Sequence, residues 1–430
     1  MARFLRRPLR HETPMTDDST PPRCRFCGAP LTASFVDLGE TPLANSYVDE
    51  ADVAAGRDRR YPLRARVCGE CFLVQADAPV RAEAIFSDYA YFSSFSASWV
   101  EHARRYAEAT IARFGLTAQS LVVEIASNDG YLLQHFIAAG IPVLGVEPAA
   151  NVAATAIAKG VPTEVAFFDR PTAEQLSRRG VAADLVAANN VLAHVPDIRD
   201  FAAGFAVLLK PDGVATFEFP HLLNLIRETQ FDTIYHEHFS YLSLIAVEKI
   251  FAATNLRAFD VEELPTHGGS LRLFACRADA SHRQTERLVA LRAKEREAGL
   301  DALDAYRGFA PRVEAAKRSF LAFLAQARAE GRTVAAYGAA AKGNTFLNVC
   351  GVGASDIVCV FDRSAAKQGK LLPGSHIPVL APEKIGEIKP DYLVVLPWNL
   401  IEEIEADMGF IAQWGGRFVV AVPQTRVLAP

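Results

Sequence analysis

Apolar and polar positions along the chain repeat one rhythm twice. Residues 121–125 are a short apolar run, 126–130 a polar turn, the stretch from Tyr131 is helical in spacing, and 143–147 is a second run ending in Glu147. Short runs separated by helix-length stretches predict parallel strands joined by helices. Runs at 184–188 and 213–219 predict two further strands, and a helix ending near Phe114 precedes them. Residues 281–330 are charged and alanine-rich, with apolar positions at Leu288, Leu291, Phe320, Leu321 and Leu324, which predicts linker helices with a solvated face. The rhythm then restarts with a strand at 333–337, a small-residue loop at 338–344, a helix from Thr345, and a strand at 357–361 followed by Asp362. The fold class predicted is α/β, with two doubly wound lobes in one chain.

The 430 residues are half apolar and carry a net charge of -5, which fits several buried cores and argues against a general nucleic-acid binder. No run of eighteen apolar residues is present, so no membrane partner is expected. The opening 1–14 is arginine-rich without the apolar centre of a signal peptide, and Met15 is an alternative start. A transit peptide is the rival reading, but the piece is short and contains Glu12. A cytoplasmic monomer is expected, with a disordered arm at 1–20, lobes at 21–80, 81–280 and 331–430, and the linker at 281–330.

Four of the seven cysteines form Cys24-x-x-Cys27 and Cys68-x-x-Cys71, beside Gly28 and Gly69. Two such knuckles predict a zinc site, and four thiolates leave no open coordination position, so the metal is read as structural. The intervening residues exceed the usual ribbon spacing, so the insert must carry structure of its own, and a redox or disulfide role is the alternative.

Ile234 to Tyr241 reads Ile-Tyr-His-Glu-His-Phe-Ser-Tyr and is where proton chemistry is expected, since imidazole exchanges protons near neutrality and carboxylate or phenol neighbours orient it. If the segment is extended, His236 and His238 share a face and Glu237 points away. A surface loop with chance histidines is the plain alternative. A zinc-protease helix is excluded, because Ser240 stands where the second histidine of that motif belongs. Asn189, Asn190 and His194 follow a strand and face the crevice at its carboxyl end.

The loop after the first strand, Glu124-Ile125-Ala126-Ser127-Asn128-Asp129-Gly130, occupies the place of a glycine-rich nucleotide loop, and Glu147 ends the next strand where a carboxylate can hold ribose hydroxyls. Gly-x-Gly-x-x-Gly is missing, as is any Tyr-x-x-x-Lys pair. The layout resembles class I S-adenosylmethionine (SAM) methyltransferases, with Ala126 and Asn128 in place of two glycines. The cofactor contacts this implies are Glu124, Ala126, Asn128, Gly130, Glu147, Phe168 and Asn189. In the last lobe, Lys342-Gly343-Asn344-Thr345 at a helix start suits a diphosphate, with a plain tight turn as the alternative.

Taken in order, the cysteine knuckles, Asp37-Leu38-Gly39 with Pro42-Leu43-Ala44-Asn45, Tyr89-x-Tyr-Phe-Ser-Ser, the Glu124 loop, Tyr235-His-Glu-His-Phe, His267-Gly-Gly-Ser-Leu-Arg272 and the Gly338 to Thr345 run resemble the nucleotide-sugar 3-C-methyltransferases of the tetronitrose-pathway type. The resemblance implies an N-terminal zinc lobe, a central SAM lobe and a C-terminal Rossmann-like lobe for a nucleotide-diphosphate sugar. It further implies methyl transfer to C3 of a 4-keto-6-deoxy sugar, with His238 as base, Glu237 and Tyr235 beside it, and Tyr89 and His194 near the sugar. Lys342, Asn344, Thr345, Arg272, His267, Lys370 and Trp398 are the substrate contacts expected on this reading. Two rivals are an epimerase or dehydratase using the same enolate, and a non-catalytic zinc-ribbon scaffold.

Overall fold

The computed structural model describes residues 21–81 and 92–429; the opening arm, Tyr89 and Tyr91 lie outside the described residues. The N-terminal lobe is an antiparallel sheet of β1 (Ala33–Pro42), β2 (Arg60–Val67) and β3 (Val74–Ala76), whose inward side chains Phe35, Leu63, Ala65 and Val74 are buried. The two cysteine knuckles flank it.

The middle sheet begins with β4 (Val122–Ile125), β5 (Val143–Val146), β6 (Thr163–Glu164), β7 (Ala183–Asn189) and β8 (Leu209–Pro220), all parallel. All four residues of β4 are buried, as a central strand covered on both faces requires. The helix Ala97–Phe114 packs on it, opened by Ser96, whose side chain accepts the Trp99 N–H, and closed by Gly115 at φ 61.

After β8 the chain makes a short detour. β9 (Ser240–Tyr241) leaves the middle sheet and pairs with β3, becoming the fourth strand of the N-terminal sheet. The chain then returns as the antiparallel pair β10 (Leu256–Leu264) and β11 (Ser270–Arg277), with β11 beside β8. The resulting order is β10-β11-β8-β7-β4-β5-β6. Only the pair at one end departs from the parallel arrangement, and the switch between β4 and β7 opens the ligand crevice at the strands' carboxyl ends.

Three helices fill the stretch expected to be a linker, the middle one the single turn Asp304–Arg307. Leu288 and Leu291 of Glu286–Glu297 bury against the middle sheet, and Phe320 and Leu324 of Phe309–Ala329 bury between the outer lobes. Leu321 instead faces outward. Phe309 stacks on Phe35 with ring centroids 4.4 Å apart, so this helix fastens the N-terminal lobe rather than merely spanning a gap.

The last sheet contains β12 (Val334–Tyr337), β13 (Val360–Phe361), β14 (Val379–Leu380), β15 (Tyr392–Val395), β16 (Arg417–Val420) and β17 (Arg426–Val427) in the order β14-β13-β12-β15-β16-β17. It is parallel up to β17. The helix after β12 starts at Ala341, earlier than the expected Thr345. Small residues make this start possible: a Cβ on Gly343 would stand 2.8 Å from that of Leu396, so the first turn seats directly on the end of β15. Lys342 therefore belongs to the helix's first turn.

Candidate active site

The expected nucleotide loop follows β4. Ala126, Asn128 and Gly130 adopt φ values of 56, 50 and 80, so the left-handed path favoured by glycine is retained although two glycines are missing. Gly130 also meets a steric demand, since a Cβ there would lie 2.7 Å from Val161 Cγ2. Glu147 is buried at the end of β5, and its two carboxylate oxygens accept the N–H groups of Asn128 and Ala149, each at 2.9 Å. Each oxygen retains acceptor capacity for a ribose hydroxyl. Burial raises the pKa of Glu147, and burial followed by the Glu147 charge pushes that of Glu124 well above the carboxylate range.

Across the switch point, Asn189 Oδ1 and Asn190 Oδ1 are buried without a hydrogen-bond partner, and Asn190 takes φ 54. Buried acceptors in a ligand crevice fit a molecule with donors to offer. The acceptor set thus suits SAM, with Glu147 able to take the ribose hydroxyls and the Asn189 and Asn190 amide oxygens its other donor groups. Phe168 does not face this space: it lies edge-on to Phe201 and Phe205 in the core, while Phe167 beside it is exposed. Ser93 N–H reaches Asn128 Oδ1 at 2.8 Å and Ser94 donates to Asp129, so the Tyr-x-Tyr-Phe-Ser-Ser motif ends on the loop.

The segment expected to carry proton chemistry is a turn, not a strand, before β9. His236 and His238 consequently diverge. His236 Nε2 lies 3.2 Å from Pro62 O on β2, whereas His238 Nδ1 lies 2.8 Å from Thr233 O. A carbonyl can only accept, so this contact places the His238 proton on Nδ1 and the lone pair on Nε2. Tyr235 lies over the His238 ring with centroids 4.1 Å apart, and His194 meets it edge-on at 4.6 Å. His194 Nδ1 is held by Glu237 O at 2.9 Å. Burial lowers both imidazoles, His194 to about 4 and His238 well below the usual histidine value, with His194 adding to the effect on His238; both are neutral at pH 7.

The Glu237 carboxyl points away from His238 to Asn45 of the N-terminal lobe, whose Nδ2 donates to Oε1 at 2.6 Å. Burial pushes Glu237 up to about 7, against the opposing pull of Asn45. The fold favours its protonated form, so that contribution to stability is full below pH 4.5 and is lost as pH rises through 7. Glu237→Gln is therefore expected to match wild-type stability at pH 4.5 and exceed it above pH 7, by at most about 3 kcal/mol. Melting curves across that range check it.

The third wall comes from the C-terminal lobe. Lys342 Nζ donates to Asn399 Oδ1 at 2.6 Å and lies 4.8 Å from the Trp398 ring, while Trp398 Nε1 donates to Asp232 at 2.7 Å. Asp232 directly precedes Thr233, which holds His238, so one short 3-10 turn connects both walls. Sequence reading missed Asp232; only its place beside the histidine segment signalled it. Beyond Trp398 a cleft of about 440 Å³ opens, lined by Gln230, Gly268, Glu402 and Arg426. Gly268 admits a close approach, and the neighbour is Trp398 across the lobes. His267 tilts against Trp99 at 5.3 Å on the middle-lobe side.

Other expected contacts stand elsewhere. Arg272 is buried in ion pairs with Glu218 at 2.7 Å and Glu262 at 3.3 Å, because its β11 position faces those carboxylates. Asn344 and Thr345 are buried within their helix; Asn344 Nδ2 donates to Ala44 O at 2.6 Å, and the Thr345 hydroxyl to Ala341 O at 3.3 Å. Lys370 is an exposed residue whose backbone N–H bonds Lys367 O.

The four knuckle sulfurs lie within 4.8 Å of one another, with Cys24–Cys71 at 3.6 Å and Cys27–Cys68 at 3.5 Å. Zinc–sulfur bonds of about 2.3 Å at tetrahedral angles separate sulfurs by about 3.8 Å, so the set fits a structural zinc ion.

This fold and crevice define a class I SAM-dependent methyltransferase with a four-cysteine zinc lobe. Residues 24–86 match the family model "Putative zinc binding domain", 99–261 a methyltransferase domain, and 265–423 the C-methyltransferase C-terminal domain. The chain is 38% identical over 406 residues to C-methyltransferase NovU of Streptomyces niveus, covering 94% of this chain and 96% of that protein. The chain belongs to this C-methyltransferase family. It is also 26% identical to a ubiquinone biosynthesis O-methyltransferase of Rhodopseudomonas palustris, over 33% of this chain and 64% of that one. Solved structures similar to it include a SAM-dependent methyltransferase of Clostridium acetobutylicum, at 11% identity and TM-score 0.34, covering 41% of this chain and 91% of that one. Magnesium protoporphyrin IX methyltransferase of Synechocystis with bound SAM gives 16% identity and TM-score 0.32, over 42% and 81%. No helix among the described residues is long and apolar enough to cross a membrane.

Proposed function

We propose that this C-methyltransferase methylates C3 of a nucleotide-linked 4-keto-6-deoxy sugar through an enolate. The observation that carries the reading is the His238 tautomer: Nδ1–H rests on Thr233 O, and a neutral Nε2 is left to take a proton. A ketone at C4 acidifies the C3 hydrogen. His238 removes it, the Thr233 carbonyl stabilises the imidazolium that forms, and charge develops on the C4 oxygen. The Tyr235 hydroxyl is the donor proposed for that oxygen, with His194 orienting the sugar. SAM supplies the electrophilic methyl. The diphosphate is assigned to the first turn of Ala341–Cys350, where backbone N–H groups at the helix start and Lys342 meet an anion. Trp398 and His267 are assigned to the sugar nucleotide's flanks.

Mass spectrometry of products from a panel of nucleotide-linked 4-keto sugars incubated with SAM tests this. Gain of one methyl on such a sugar supports the proposal; an isomerised or dehydrated product without methyl supports the enolate rivals and sinks it. The two sites also separate. Glu147→Ala is expected to weaken SAM binding by about tenfold or more while nucleotide-sugar affinity stays near wild type, because Glu147 and Lys342 stand in different lobes. Calorimetry showing equal loss of both ligands contradicts the two-site arrangement.

A further inference from the structure

The turn that carries His238 hangs from the N-terminal lobe by bonds that do not involve the crevice. β9 pairs with β3, setting Val74 opposite Tyr241 and Gln75 opposite Ser240. Arg25 lies inside the first knuckle, between Cys24 and Cys27. Its Nη1 donates to Ala76 O at 2.8 Å and its Nη2 to Phe239 O, the carbonyl one residue beyond His238. The Arg25 N–H is in turn held by Gln75 Oε1 at 3.0 Å, and Gln75 Nε2 reaches Cys24 Sγ at 3.2 Å. A continuous set of bonds thus runs from a zinc ligand to the main chain beside His238. His236 on Pro62 O and Glu237 on Asn45 add two further attachments to the same lobe.

We propose that Arg25 is a positioning residue for methyl transfer: it transmits the shape of the zinc knuckle to the His238 turn, so metal occupancy governs the base without governing SAM. Zinc holds the turn at 24–27, the planar guanidinium spans two carbonyls at a fixed angle, and the main chain so fixed determines where the His238 ring stands. A lysine ammonium can meet one of those carbonyls but cannot brace both. Misplacement by about 1 Å costs a reaction on the order of a hundredfold, so a small slackening of the turn is enough. The Glu147 loop has no part in these bonds.

The inference rests on His238 being the base, and the test separates the two. Arg25→Gln and Arg25→Lys are compared with wild type for zinc content, SAM affinity, amide exchange and steady-state kinetics. Arg25→Gln is expected to keep stoichiometric zinc and SAM affinity within about twofold, to speed amide exchange at residues 235–241 with 122–125 unchanged, and to lower kcat by about tenfold with KM little altered. Arg25→Lys should recover part of kcat. Unchanged exchange at 235–241, unchanged kcat, or exchange that accelerates equally in all lobes overturns the proposal. If Arg25→Gln does not fold, Gln75→Leu, which cuts the link between Cys24 Sγ and the Arg25 N–H, carries the test: faster exchange at 235–241 with zinc and SAM affinity retained is expected, and unchanged exchange there overturns the proposal. The exchange readings need no sugar, so they stand even if the substrate assignment fails.

Discussion

His238→Ala should retain SAM and nucleotide-sugar binding yet lose methyl transfer by on the order of a hundredfold or more. The reasoning rests on what that ring touches. Its Nδ1 meets a main-chain carbonyl at 2.8 Å, and its neighbours are the rings of Tyr235, His194 and Tyr241. Truncation removes a proton acceptor without unpairing a charge. Binding and chemistry separate in heavy water: wild-type enzyme given the 4-keto sugar and a non-donating SAM analogue should exchange the C3 hydrogen for deuterium faster than buffer, and His238→Ala should not. A variant that exchanges as fast as wild type shifts the role of base to His194 or to Tyr89, which lies outside the described residues.

Cys24→Ser should release the zinc and unfold the N-terminal lobe ahead of the rest, because a structural thiolate set of this kind is worth about 10 kcal/mol or more. Serine supplies neither the softness nor the ionised ligand atom that the metal requires. Cys24 is buried against Cys71 and Gln75, so the replacement also leaves a hydroxyl among groups arranged for sulfur. Metal analysis and thermal melting decide it: stoichiometric zinc with an unchanged melting profile in the variant rules out the four-thiolate assignment.

The elements legible in the sequence were those whose cause is local. β4 is apolar throughout except for Glu124, because both its faces are covered, and the knuckles can be recognised because two close thiolate pairs have few other uses in such a setting. The three positive φ values after β4 are equally local, although Ala126 and Asn128 conceal them from a search for glycines. Long-range partners were not legible. Arg272 has the composition of a phosphate contact, and only the pairing of β11 with β8 reveals Glu218 as its partner. The turn at 236–237 breaks an alternation that would have set both histidines on one face, because Pro62 and Thr233 offer them carbonyls in different directions. Asn45 stands in a recognised motif, Arg25 inside a knuckle and Asp232 beside the histidine segment, but their partners Glu237, Phe239 and Trp398 lie far away in sequence and cannot be read from those local patterns.

The detour of β9 also bears on the order in which the chain can be assembled. The N-terminal sheet is built from residues 33–76 and closed by Ser240–Tyr241, so during synthesis its β3 edge has no strand to pair with until most of the middle lobe has been made. An open edge with unpaired amides invites pairing with other chains. The nascent protein therefore passes through an interval in which its first lobe presents an unpaired strand edge. A truncated gene encoding only that lobe yields a protein lacking its own protective strand.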